Sequence, residues 1–205
     1  ERHGLPTPHW CVAHASPAGS VRGPGRMSVP CVVKPISSGS SIDVFVCRTE
    51  SECRAACDAV LRKYGQALCE KYVDGIEVTV GILDQEPLSP IRITTSHAFF
   101  DYAAKYAGND ARHEFDLGIS DDLLLTTKAL ARQAHEVIGC RDLSRVDMMI
   151  SGGGKPHLLE INTMPGFTPR SLLPEAAAHD GIPFPKLVDR LVRKAHSRGA
   201  RARAA

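Results

Sequence analysis

The densest chemistry in the sequence lies in residues 145–162, which read RVDMMI, SGGGKP and HLLEIN. Side chains alternate faces along a strand, so Arg145 and Asp147 share one face of the first segment, and Glu160 and Asn162 share one face of the last. If Ser151 to Pro156 is the connection, Ile150 pairs with His157, Asp147 lies opposite Glu160, and Arg145 lies opposite Asn162. Two carboxylates directly across an antiparallel pair repel unless a cation or a shared proton sits between them. Two carboxylates and an amide oxygen are hard donors that suit Mg²⁺ or Mn²⁺, whose remaining positions go to waters or phosphate oxygens. Spacing alone leaves a second reading open, a solvent-facing hairpin in which Arg145 neutralises one acid. Residues 163–171, TMPGFTPRS, form a turn-rich stretch leading towards a helix, where free backbone amides could make an anion hole.

A second cluster surrounds Lys34, mid-strand in the apolar run CVVKPI and followed by Ser37 to Ser41, SSGSS. Small residues let backbone amides approach phosphate oxygens, and a neighbouring lysine supplies a point charge. The spacing is not that of a P-loop, and a serine-rich hairpin tip beside a snorkelling lysine is as common. Glu70 and Glu77 flank Asp74-Gly75 and could bind an amine or hydroxyls; as isolated glutamates they read equally as solvated surface charge.

The elements that must position these groups follow from pattern. Residues 16–30 are rich in Gly, Pro and Ser and read as a loop. Pro30 opens a strand, and Val44 to Cys47 returns as its hairpin partner. Thr49 and Glu52 form a capping box opening a helix to about Tyr64, with Cys53, Ala56, Cys57, Val60 and Leu61 on its buried stripe. Strands at Leu68–Val73 and Ile76–Leu83 flank Asp74-Gly75, a two-residue hairpin signal. Ile91 to Thr94 reads as a strand, and His97 to Asp116 as a long functional loop. A helix is expected over Asp121 to Ile138, with Leu124, Leu125, Ala129, Ala134 and Val137 inward and Gly139 as its stop. The terminal helix is expected from Pro185 to His196, burying Leu187, Val188, Leu191 and Val192, before a basic disordered tail over 197–205.

Composition excludes several classes. With 205 residues, 43% hydrophobic and 23% charged, the chain is neither disordered nor a disulfide-stapled miniprotein. Lys plus Arg number 25 against 23 Asp plus Glu, a balance that gives no reason to expect a nucleic-acid partner. No apolar run approaches a membrane span and no signal peptide pattern opens the chain, so a membrane partner is not expected either. Seven cysteines, an odd number, suit reduced thiols and a cytoplasmic location. Cys53 and Cys57 share a helix face, with Cys47 and Cys69 the neighbours a zinc site would need; buried thiols are the expected state. The chain opens on Glu1 and runs at once into Gly4-Leu5-Pro6-Thr7-Pro8, a start expected of a sequence that begins mid-protein.

Taken in order and spacing, VVKPISSGSS, EKYVDGIEVTVGIL, DYAAKY, RVD and LLEINTMPGFTPRSLLP resemble the D-alanine-D-alanine ligases of the ATP-grasp superfamily, over nearly all of Pro30 to about Ala195. The resemblance implies an α+β fold in which two lobes with antiparallel sheets clasp ATP: a truncated central lobe over 1–72 and a C-terminal lobe over 73–196, with the family's N-terminal domain missing. It implies ATP and D-alanine as substrates and two Mg²⁺ or Mn²⁺ ions held by Asp147, Glu160 and Asn162. Lys34 and Lys105 would contact the phosphates. Glu70, Lys71, Tyr72 and Val73 would form the adenine-binding hinge, Glu77 would hold the ribose, and Phe99, Met149 and Leu159 would line the base pocket. Arg145 and the Gly166 amide would stabilise an oxyanion, Ser171 and Leu172 would receive the second amino acid, and Ser40 and Tyr106 would close a loop over the site. Ligases of this type commonly form homodimers.

The sequence also departs from the family pattern. Residues 11–27 are shorter than the central lobe and lack its second nucleotide-binding lysine; Ser38 stands for a usual glutamate, Asp43 for a usual glycine, and Asp116 for a common proline. An Asp43 near phosphate would cost affinity unless it faces away. Two other functions therefore stand beside the ligase: a nucleotide-binding fragment without turnover, and a ligase with a D-serine or D-lactate acceptor.

Overall fold

A computed structural model describes residues 3–15, 21–22, 27–39, 41–95 and 111–204. The expected functions of Ser40, Phe99, Lys105 and Tyr106, and most of the expected lid, fall outside these residues. The chain divides into two units, one within Pro6–Gly75 and Thr94–Arg112, the other within Glu1–Leu5, Ile76–Ile93 and His113–Ala205.

The first unit is an antiparallel sheet in the order β2-β1-β5-β3-β4, comprising β1 (Trp10–Ala15), β2 (Val21–Arg22), β3 (Cys31–Lys34), β4 (Phe45–Cys47) and β5 (Gln66–Lys71). Period-2 alternation puts Cys31, Val33, Ala67 and Cys69 on the buried face and turns Lys34 and Glu70 to the other. Helix α1 (Glu50–Tyr64) covers the buried face with Ala56, Val60 and Leu61, while Cys53 and Cys57 pack at its margin. Its capping box is formed as expected: Thr49 Oγ1 accepts from the Glu52 N–H, and the Glu52 carboxylate accepts from the Thr49 N–H. Gly65, at φ 75°, takes the left-handed cap position that a side chain would strain.

The second unit is built on a sheet in the order β11-β10-β6-β8-β9: β6 (Gly75–Leu83), β8 (Ile91–Thr95), β9 (Ala111–Glu114), β10 (Leu143–Ser151) and β11 (Pro156–Asn162), with β7 (Glu86–Pro87) beside β6. Val78, Val80, Ile82, Val146, Met148 and Ile150 meet helix α2 (Asp121–Ile138) in one core. A second core gathers Leu83, Leu88 and Ile91 with helices α3 (Leu172–His179) and α4 (Phe184–Ala204).

Several expectations change. Asp74-Gly75 is not a hairpin: β5 pairs with β1 and β3, β6 pairs with β8 and β10, and the residues between carry the chain from one sheet to the other. Both edges of β5 are already taken, so no edge remains for β6. The 16–30 loop contains strand β2, and β1 before it was not foreseen. Ala111–Glu114, expected within the long loop, is strand β9. Helix α2 has the expected ends, with Ser120 and Gly139 as caps, but buries Thr127, Leu130, Ala131, Ala134 and His135; Leu125 is 65% exposed and Ala129 lies outside. On α4, Leu187 is buried while Val192 faces solvent, and the segment expected as a disordered tail continues the helix to Ala204.

Candidate functional site

The β10–β11 pair sets the geometry. Arg145 lies opposite Asn162 and Asp147 opposite Glu160, as alternation and loop length anticipated. Past that point the register shifts: Met148 pairs with Leu158, Met149 with His157 and Ile150 with Pro156, in place of the expected Ile150–His157 pair. A bulge after Asp147 leaves Leu159 as the extra residue.

Asp147, 9% exposed, is held at both oxygens. Its Oδ1 accepts from Thr79 Oγ1 at 2.6 Å and from Arg145 Nε at 2.9 Å. Its Oδ2 accepts from Arg145 Nη2 at 2.6 Å and from Asn162 Nδ2 at 3.2 Å. The same Asn162 amide donates to Glu160 Oε1 at 3.0 Å, so it bridges the two carboxylates. The arginine contact is bidentate, the geometry that fixes a carboxylate most firmly. Thr79 was not singled out from sequence. Its signal was available, because Glu77 and Thr79 share one face of β6, the strand next to β10.

The donors fit a hard divalent ion: two carboxylates and an amide whose rotation by half a turn would present Oδ1 where Nδ2 now points. Among the described residues no three His, Cys, Asp or Glu side chains gather as a metal cluster, so the amide has to be counted as the third donor. Glu77 and Met149 lie on the same sheet face as Asp147, both half-buried, and half-buried Leu159 sits at the bulge.

Beyond β11 the chain turns through residues 163–171 into α3. Ser171 occupies the helix N-cap, but its hydroxyl turns back: it accepts from the Thr168 N–H at 3.0 Å and shares a hydrogen bond with Thr168 Oγ1 at 3.0 Å. The first-turn amides of α3, Leu172 included, are thus not capped by Ser171 and point where an anion is favoured. Gly166 is exposed, and a Cβ there would stand 3.2 Å from Ser171 Oγ, so glycine keeps the turn tight.

In the first unit Lys34 Nζ pairs with Glu70 Oε2 at 2.5 Å, the two side chains being 18% and 8% exposed. The phosphate and hinge candidates therefore contact each other, as diagonal neighbours on β3 and β5. The Lys71 N–H donates to the His9 carbonyl and the Tyr72 N–H to the Pro30 carbonyl, fixing the chain up to half-buried Val73. Asp43 does not sit as an unpaired acid. It adopts φ 57°, the conformation a glycine takes most easily, and accepts from Lys63 Nζ at 2.7 Å and Tyr64 Oη at 2.5 Å. Those two hydrogen bonds hold its carboxyl below the usual carboxylate range.

Antiparallel sheets in two α+β units, one bearing the lysine–glutamate pair and the other the oxygen-donor hairpin, define an ATP-grasp architecture. The D-alanine–D-alanine ligase from Bacillus anthracis superimposes with a TM-score of 0.78 at 30% identity, covering 94% of this chain and 62% of its own. The same ligase complexed with ATP gives 0.74 at 26% identity, over 94% and 61%. The family described as D-ala D-ala ligase C-terminus matches residues 2–193, and the chain belongs to it. The D-alanine–D-alanine ligase of Anaeromyxobacter sp. (strain K) is 37% identical over 191 residues, 92% of this chain. The chain spans 62% of that relative's length. Among the described residues no helix is long and apolar enough to cross a membrane.

Proposed function

We propose that this chain carries the nucleotide- and metal-binding part of an ATP-dependent ligase that joins two D-alanines for peptidoglycan precursors, through an acyl phosphate. The observation that carries the proposal is the Asp147–Glu160 pair with Asn162 bridging it and Arg145 and Thr79 anchoring Asp147. Burying a carboxylate costs desolvation energy, and the four hydrogen bonds to Asp147 offset that cost while fixing where its oxygens point.

In this reading Lys34 and Lys105 contact the phosphates. Glu70 to Val73 bind adenine and Glu77 the ribose, with Phe99, Met149 and Leu159 around the base. Asp147, Glu160 and Asn162 would hold a divalent ion, which would supply charge neutralisation as the γ-phosphate passes to the first D-alanine carboxylate. The amine of the second D-alanine, its carboxylate at Ser171 and the α3 amides near Leu172, then attacks the acyl phosphate. Arg145 and the Gly166 N–H meet the charge on the tetrahedral oxygen before phosphate leaves. Ser40 and Tyr106 belong to the loop network that excludes water. Lys34 leaves Glu70 for phosphate on nucleotide binding, which couples the hinge to the phosphate site.

The test is phosphate release with Mg²⁺, ATP and D-alanine. D-Alanine-dependent release that Asp147→Asn abolishes supports the ligase. ATP binding with no D-alanine-dependent release overturns it for this chain and leaves a nucleotide-binding unit. D-Serine and D-lactate in the same assay decide the acceptor.

A further inference from the structure

Six of the seven cysteines, Cys11, Cys31, Cys47, Cys53, Cys57 and Cys69, belong to the first unit, and all are free thiols. They are not scattered through it. Helix α1 presents Cys53 and Cys57, one turn apart, towards the sheet, and each meets a thiol from a different strand. Cys31 Sγ on β3 lies 3.5 Å from Cys53 Sγ, and Cys69 Sγ on β5 lies 3.7 Å from Cys57 Sγ. Weaker contacts link the two pairs to their neighbours, Cys53 meeting Cys57 along the helix and Cys11 on β1 meeting Cys69 across the sheet, and among the described residues no three His, Cys, Asp or Glu side chains are placed to share a metal ion. Aliphatic residues would fill this core equally well; what paired thiols add is oxidation chemistry.

Each pair joins a half-buried thiol on α1, Cys53 or Cys57, to a buried one on the sheet, Cys31 or Cys69; the pairs differ in how readily the reachable thiol ionises. Cys31 is fully buried, and both Cys31 and Cys53 have thiols pushed up, chiefly by burial. Cys57 is half-buried, so one partner of the second pair can be reached from solvent while Cys69 waits beneath it at 4% exposure.

We infer that Cys57 and Cys69 form a reversible disulfide, with Cys57 as the attacking thiol, Cys69 as the resolving one, and a low-molecular-weight disulfide such as oxidised glutathione as the oxidant. The Cys57 thiolate attacks one glutathione sulfur, breaking the glutathione disulfide and releasing one glutathione thiolate. Cys69, giving its proton to that thiolate or to water, then attacks Cys57 Sγ and expels the second glutathione. Two protein thiols are oxidised and one glutathione disulfide is reduced to two thiols, so atoms and electrons balance. The sulfurs must close by about 1.7 Å to reach bonding distance, a movement within reach of side-chain rotation.

The electrostatics favour this order. The Cys69 hydrogen bond draws the Cys57 thiol down to about 7, and the same contact is the largest cause raising Cys69. Once Cys57 is held in a mixed disulfide, its negative charge is gone and so is the main obstacle to ionising Cys69. The product staples α1 to β5 at the residue preceding Glu70. This inference stands on the contact between the two thiols and the charge that it sets, and is independent of the ligase reading.

The test equilibrates the reduced full chain with glutathione mixtures of rising oxidised fraction, quenches with acid, alkylates the unfolded protein and maps the peptides by mass spectrometry. A Cys57–Cys69 linked peptide should be the first cross-link to appear and should vanish with dithiothreitol, with Cys140 in the other unit as a thiol lacking a partner cysteine for comparison. Cys69→Ser should leave Cys57 as a lasting mixed disulfide, and Cys57→Ser should leave Cys69 reduced. The inference is overturned if a mixed disulfide at Cys57 persists in the parent chain, if Cys31–Cys53 links first, or if both Cys57 and Cys69 stay alkylatable throughout. Protection of the thiols by Zn²⁺ with no linked peptide at any glutathione ratio overturns it as well. The parent chain alone decides the question should either variant fold poorly.

Discussion

Replacing Thr79 with valine deletes one hydroxyl while keeping a β-branched side chain of nearly the same shape in the middle of β6. Thr79 is 2% exposed, so no water replaces the lost donor. Asp147 keeps three of its four contacts, two from Arg145 and one from Asn162. The loss is one hydrogen bond to a charged acceptor, about 1.5–3 kcal/mol. A buried methyl in place of the hydroxyl returns roughly 0.8 kcal/mol, leaving a net destabilisation of about 1–2 kcal/mol. Arg145→Met should cost more, about 3–5 kcal/mol, because it strands the carboxylate rather than trimming its support.

The assay must report the right half of the molecule. The single tryptophan, Trp10, lies on β1 of the first unit, so its fluorescence does not follow β6, β10 and β11. Amide hydrogen exchange at Val146 and Met148 does. A group that orients a metal-binding carboxylate typically governs affinity by about 10–100-fold, so Mn²⁺ binding in the presence of a non-hydrolysable ATP analogue should weaken by that factor in Thr79→Val and recover in Thr79→Ser. If Thr79→Val matches the parent in both exchange protection and Mn²⁺ affinity, Thr79 does not position Asp147 and the assignment fails.

Removing the capping box by Thr49→Ala should cost about 1 kcal/mol, read by urea unfolding of the first unit through Trp10 fluorescence. Lys34→Met should destabilise that unit by about 3 kcal/mol because Glu70 is left buried without its partner, and adding Glu70→Gln should restore most of the loss. Gly81→Ala should cost about 1–3 kcal/mol by overpacking, since a Cβ there meets Leu88 Cδ1 at 3.0 Å and Leu173 Cγ at 3.3 Å; differential scanning calorimetry of the pair measures it. His135 is fully buried with Nδ1 2.7 Å from Ser144 Oγ, and burial lowers its pKa below the usual histidine value. A lowered folded-state value means the unfolded chain takes up the proton first, so its contribution is complete above about pH 6.5 and falls as the solution is acidified. The unfolding free energy of the parent minus that of His135→Leu should fall as the pH goes from 7.5 to about 5.

Local signals carried well from sequence to structure. The Thr49–Glu52 box and the Ser120–Gly139 limits of α2 are set by short-range hydrogen bonding that a few residues specify. The phase of α2 did not carry, because Leu123, Leu124 and Leu125 are consecutive and cannot all face inward; the sheet beneath chooses Leu130, Ala131 and Ala134 and leaves Leu125 outside. Partnership across long separations carried least. Asp74-Gly75 has the composition of a tight turn, yet the edges of β5 belong to β1 and β3, one far upstream in sequence. Strand β1, WCVAHA, gives a weak pattern until its pairing with β5 is known. A helix is expected after residues 163–171 without bounds, and Pro174, tolerated within the first turn, obscures that it begins at Leu172.

The carboxylate pair illustrates how a sequence inference can reach the right contact through compensating departures. Loop length placed Ile150 against His157, whereas the structure pairs Ile150 with Pro156. Carried uniformly along the strands, that register would set Asp147 opposite Leu159 and turn Glu160 to the other face, since a one-residue slip reverses every side chain. The bulge absorbs the difference: Leu159 is the extra residue, and beyond it Glu160 and Asn162 return to the face of Asp147 and Arg145. Leu158 meanwhile stays in the core opposite Met148. The bulge therefore lets the loop end of the hairpin keep one register for packing while its other end keeps a second for chemistry, and Leu159 joins the two.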